Sequence, residues 1–101
     1  MGVTLRLPAV LADSVGGQRA LHVDPAPGSV GALFDALATS HPALERRVRD
    51  EQGVLRRFVN VYVGDDDVRH LDGQATPLVD GAEVWVLPSV AGGQIDEDDE
   101  P

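Results

Sequence analysis

The stretch "RFVNVYVGDDDV" constrains the fold of this chain more than any other. Phe58, Asn60 and Tyr62 alternate with Val59, Val61 and Val63, a period of two that only an extended strand can use. A second run, "AEVWVLP", repeats the device with Val84 and Val86 opposite Trp85 and Leu87. Five valines on one side of two strands need a cover, and one segment can supply it. Val30, Leu33, Phe34, Leu37 and Ala38 recur at i, i+3, i+4, i+7 and i+8, one continuous stripe of a helix, with Ser29 placed to cap its start. The valines are therefore expected beneath Leu33, Phe34 and Leu37. That assigns Phe58, Asn60, Tyr62, Trp85 and Leu87 to the opposite face. A polar Asn in the middle of that set argues for exposure, and aromatic side chains around it make a candidate partner-docking patch.

The remaining segments fill in a small domain. "VTLRLPAVL" alternates apolar and polar residues and reads as a first strand. "SVGGQ" then turns, and "QRALHVD" returns as the second arm of a hairpin. His41-Pro42 ends the main helix, because the residue before proline is pushed out of the α region. "PALERRVRDEQG" reads as a shorter helical piece that packs Leu44 and Val48. After the 58–63 strand, "GDDD" turns and "VRHL" reads as a short edge strand, while Asp80-Gly81 turns the chain into its last strand. The sum is a two-layer α+β domain: a mixed sheet with one main helix on one face, and the first and last strands side by side at the centre.

Composition mostly excludes. The chain has 101 residues, enough for one modest core, and a net charge of −9, of which Asp96, Glu97, Asp98, Asp99 and Glu100 supply five negative charges. No basic stripe suits nucleic acid; Arg46, Arg47, Arg49, Arg56 and Arg57 read as a solvated helix face and loop. There is no cysteine, hence no disulfide, thiolate metal site or cysteine nucleophile. No apolar stretch approaches the ~20 residues of a membrane span, and the start lacks a signal-peptide pattern, so a cytoplasmic protein is expected. His22, His41 and His70 lack a metal-ligand spacing. Asp65, Asp66 and Asp67 lack the glycine and distal glutamate of a calcium loop, so no metal site is expected. There is no phosphate-binding loop, no lysine and no nucleophile elbow. The chain reads as a substrate or carrier for other enzymes, not as a catalyst.

That leaves Val90-Ala91-Gly92-Gly93, a few residues after the last strand. Two residues without Cβ make a thin backbone that can enter a narrow channel; they can equally be a linker to the acidic residues beyond. "RFVNVYVGDDDVRHLDG", "PLVDGAEVWVLP" and "SVAGG", in that order and with the early "VGGQRAL", resemble the ubiquitin-like sulfur carriers of the MoaD/ThiS family, most of all those that serve bacterial cysteine synthesis. The resemblance covers nearly all of residues 3–93. It implies a β-grasp fold with no cofactor of its own. An E1-like adenylyltransferase would activate the Gly93 carboxylate and leave it as a thiocarboxylate. The acceptor would be a PLP-dependent cysteine synthase, and a JAMM-type metalloprotease would release the product.

The chain departs from that pattern at one place. Gly93 is followed by "QIDEDDEP", so its carbonyl lies in a peptide bond with Gln94. A β-grasp domain over 1–93 and a disordered acidic extension over 94–101, removed between Gly93 and Gln94, are therefore expected. Other acceptors (molybdopterin, thiazole or secondary-metabolite synthesis), a ubiquitin-like modifier and a non-carrier binding module remain as alternatives.

Overall fold

A computed structural model describes residues 2–88 of the chain. Five strands, β1 (Val3–Arg6), β2 (Ala20–Val23), β3 (Val59–Val63), β4 (Asp66–Asp67) and β5 (Glu83–Pro88), form one sheet in the order β2-β1-β5-β3-β4. The first and last strands are parallel neighbours, with Leu5 beside Val84 and Arg6 beside Trp85. The β1–β2, β5–β3 and β3–β4 pairs are antiparallel. The helices are α1 (Ala9–Ala12), α2 (Val30–Ser40) and α3 (Pro42–Val48).

The apolar alternation sorts as the sequence implied. Val3, Leu5, Val59, Val61, Val84 and Val86 are buried, together with Val30, Leu33, Phe34 and Leu37 of α2; Val63 packs on the edge of this cluster. Leu44 and Val48 of α3 are fully buried and complete the layer. Ala38, assigned to the same stripe, is exposed instead; the stripe ends at Leu37, one turn before the helix does. Ser29 caps α2 as expected, its hydroxyl oxygen accepting from the Ala32 amide at 3.1 Å. Pro42 then opens α3 directly, where its missing N–H costs nothing.

Three further expectations are corrected. "PAVL" does not extend β1 but forms α1, followed by a 3₁₀ turn over Asp13–Val15. Pro8 donates no hydrogen bond and its carbonyl starts the turn by accepting from Leu11 and Ala12. Leu11 and Val15, four apart, reach the core by this route, and Gly16 closes it in the left-handed conformation at φ 68. "VRHL" is likewise a 3₁₀ turn over Val68–His70, and only Asp66–Asp67 pair as the edge strand. The Asp67 carboxylate accepts from the Arg69 amide at 2.8 Å, which starts the turn and sends Val68 into the core. The third correction is Arg49. Arg46, Arg47 and Arg57 face solvent, but Arg49 is buried at 7% exposure. It donates to Glu45 at 2.7 Å, to Gln74 Oε1 at 3.0 Å and to Asp35 at 3.0 Å, and its guanidinium lies 5.7 Å from the Phe34 ring centre. It ties α2, α3 and the 73–75 turn together.

At the opposite edge Gly2 has φ 103, and a Cβ there would stand 2.1 Å from the Val23 carbonyl oxygen. Only glycine fits. Its amide donates to the Asp80 carboxylate and its carbonyl accepts from Gly81, so the start of β1 is fastened to the turn that launches β5.

Candidate functional site

α2 covers one face of the sheet, and the strand registers decide what stands on the other. Tyr62 is paired with Trp85, and Trp85 with Arg6, so these three form one row across β3, β5 and β1. Asn60 and Leu87 form the next row, and Thr4 and Glu83 flank on the other side. Trp85 is 39% and Leu87 38% exposed, a large open area for side chains of this kind; Asn60 and Tyr62 are half-buried. Tyr62, Gly64, Asp65, Glu83, Trp85 and Leu87 line a shallow hollow of about 410 Å³.

Polar contacts hold this face in shape. The Arg6 guanidinium sits 5.7 Å from the Trp85 ring centre and bonds the Glu83 carboxylate at 3.1 Å, so indole and cation brace one another. Arg69, from the turn after β4, donates to Asn60 Oδ1 at 2.6 Å and to the Val59 carbonyl at 2.7 Å. That contact gives the Asn a partner and fixes its amide. Arg6, Glu83 and Arg69 were not among the residues singled out from the sequence. Arg6 was accessible to that reasoning, because it occupies an outward position of the first alternating strand. Arg69 was not, since its reach depends on the 68–70 turn.

Phe58 stands apart. One residue ahead of β3, it is 59% exposed but lines a different hollow, an apolar groove of about 510 Å³ between α1, α3 and the end of β5. The structure thus groups Asn60, Tyr62, Trp85 and Leu87 and separates Phe58 from them. Val90, Ala91, Gly92, Gly93 and Gln94 lie outside the described residues. The last described residue, Pro88, is paired with Val59 at the start of β3 and lines that groove.

Among the described residues no three His, Asp or Glu side chains are grouped as they would be to hold a metal ion, and no helix is long and apolar enough to cross a membrane. Asp50 accepts from the Val54 and Gln52 amides, and these bonds, aided by the charge of Arg56, hold its pKa below the ordinary value.

A mixed five-stranded sheet grasping one main helix is the ubiquitin-like β-grasp. The model of the ThiS family matches residues 5–93, and the chain belongs to that family. It is 40% identical to the sulfur carrier protein CysO of Mycobacterium tuberculosis over 92% of this chain and 100% of that protein. The crystal structure of that CysO superposes with a TM-score of 0.78 at 37% identity, over 87% of this chain and 99% of the other. CysO in the BexX/CysO complex of Amycolatopsis orientalis gives the same TM-score at 34% identity, over 90% and 99%. The chain is also 38% identical to small archaeal modifier protein 3 of Haloferax volcanii, over 92% of this chain and 100% of that protein.

Proposed function

We propose that this chain is the precursor of a sulfur carrier, cut between Gly93 and Gln94 and then charged with sulfur at Gly93. The observation that carries the reading is the 40% identity to a named sulfur carrier over that protein's whole length. The family match ends at Gly93, which supports residues 94–101 as an addition to the working domain.

The chemistry follows from what each bond can do. Water adds across the Gly93–Gln94 peptide bond, freeing a carboxylate; a JAMM-type metalloprotease is the proposed catalyst. The carboxylate is a poor electrophile, so its oxygen attacks the α-phosphorus of ATP on an E1-like adenylyltransferase, and pyrophosphate leaves. Sulfide then attacks the acyl carbon of the mixed anhydride and AMP departs, leaving a Gly93 thiocarboxylate. This soft anion passes its sulfur to an acceptor, for which a PLP-dependent cysteine synthase in the cytoplasm is proposed. The pyridoxal group belongs to that partner.

In these steps the chain itself positions and presents. The Asn60, Tyr62, Trp85 and Leu87 face docks on the enzyme, and the Gly-Gly segment leads the acyl carbon into its nucleotide site. That a CysO relative is seen bound to a second protein, BexX, supports uptake by partner enzymes.

A second reading has an observation of its own. Identity to an archaeal modifier protein favours a role in which activated Gly93 is transferred to lysine amines of other proteins. The activation is shared, so one experiment tests both. A chain ending at Gly93 should release pyrophosphate from ATP on an E1-like partner, whereas the chain extended to residue 101 should not. Equal release from both would overturn the precursor reading. Sulfide transfer or isopeptide formation by the activated product then separates carrier from modifier.

A further inference from the structure

The groove beside Phe58 is built for a ligand of mixed character. Val10, Leu11, Phe58 and Pro88 make its floor, and Arg46, Arg47 and Arg56 stand around it. Val10 and Phe58 are 51% and 59% exposed, so the floor lacks a cover among the described residues. The arginines are lightly used. Arg47 donates to Ser14 at 3.0 Å and Arg56 to the Arg46 carbonyl at 3.0 Å, while Arg46 approaches the exposed Glu51 carboxylate only to 3.9 Å. A guanidinium carries five N–H donors, so most of this capacity faces outward. Asp50 and Glu51 are the nearby acids that offset it.

The same chain supplies a matching segment. Pro88 is at once a wall of the groove and the last described residue. Ile95 is the one large apolar side chain of residues 94–101, and Asp96, Glu97, Asp98, Asp99 and Glu100 follow it. The seven Cα-to-Cα steps from Pro88 to Ile95 can span up to about 25 Å, ample for the chain to turn back.

We propose that residues 94–101 dock in this groove, with Ile95 on the apolar floor and the following acids against Arg46, Arg47 and Arg56. The tether favours this occupant over a free partner, because a short linker holds the segment at an effective concentration in the mM range.

The chain has no cysteine, so Pro101→Cys in the full chain accepts a single nitroxide label while keeping every acid. At low ionic strength the label should broaden the amide signals of Val10, Arg46, Arg47 and Phe58 and spare Thr4, Tyr62 and Trp85 on the other face. Raising salt shrinks the screening length from ~30 Å at 0.01 M to ~3 Å at 1 M, so the groove signals should recover. They should also recover with Arg46→Glu/Arg47→Glu, and with Ile95→Ser. Broadening that ignores salt and all three substitutions, or falls equally on both faces, would overturn the proposal and leave the groove to a partner. Broadening that grows with protein concentration would assign it to a second copy instead. None of these outcomes bears on cleavage after Gly93, which is read separately by mass.

Discussion

Arg49 gives the most demanding test of how the domain is held together. Its side chain is 8% exposed and that of Glu45 10%, with 2.7 Å between them; the second carboxylate, Asp35, is 75% exposed and adds little. Replacing Arg49 by Met keeps the stem against Phe34 but leaves the Glu45 carboxylate buried without its cation. Removing one partner of such a pair costs about 3–5 kcal/mol. The low end, about 3 kcal/mol, applies here because the Glu45 side chain keeps 10% of its surface exposed to water. In a domain of this size, each kcal/mol lowers Tm by roughly 4–8 °C, so a fall of about 12–24 °C is expected. The double variant Glu45→Met/Arg49→Met should regain much of this, since two apolar chains of similar volume replace a buried pair at little net cost. Urea denaturation of wild type, both single variants and the double variant gives the coupling energy directly. A loss below about 1 kcal/mol for Arg49→Met, or a double variant no better than that single one, would refute the argument.

Trp85→Ala should weaken binding to the adenylating partner by about 2 kcal/mol, some thirtyfold, and cost less in folding stability because the indole is already part-exposed. Isothermal titration set against thermal melting decides, and a larger stability loss would make Trp85 a core residue. Gly92→Ala in the trimmed chain should leave the melt unchanged and slow thiocarboxylate formation by about 10²-fold, the effect of displacing reacting atoms by about 1 Å. Near-equal rates would favour a plain linker. The Asp50 carboxylate should titrate below the ordinary aspartate value, measured by its carboxyl ¹³C shift. Its folded pKa is depressed, so its contribution to stability is present above the unfolded pKa and is lost as pH falls through the lower folded one; Asp50→Asn should remove that acid-side dependence, and a midpoint at or above 3.8 would contradict it.

The layers of this fold are legible because alternation and helical stripe agree. Val59, Val61, Val84 and Val86 and their outward neighbours sort by period alone, and the register of β3 on β5 follows. What periodicity missed are the short 3₁₀ and α turns. Residues 9–12 are apolar throughout and carry no period, and the 68–70 turn depends on a single Asp67 capping bond. Arg49 was misread for a related reason: a basic run on a helix signals solvent until tertiary partners appear, and Asp35 and Gln74 come from distant segments. Asn60, Tyr62, Trp85 and Leu87 were legible as one face. Phe58 was placed with them by parity, but it precedes the strand and turns toward α1. Its groove could not be read from a sequence that hid α1.

The most direct test of the carrier account is the intact mass of the protein isolated from its native host. The account predicts a chain ending at Gly93, with a fraction heavier by the exchange of one carboxylate oxygen for sulfur, and that fraction should disappear on alkylation as the thiocarboxylate is capped. A population that retains Gln94 and the acids beyond it while sulfur transfer proceeds would contradict it.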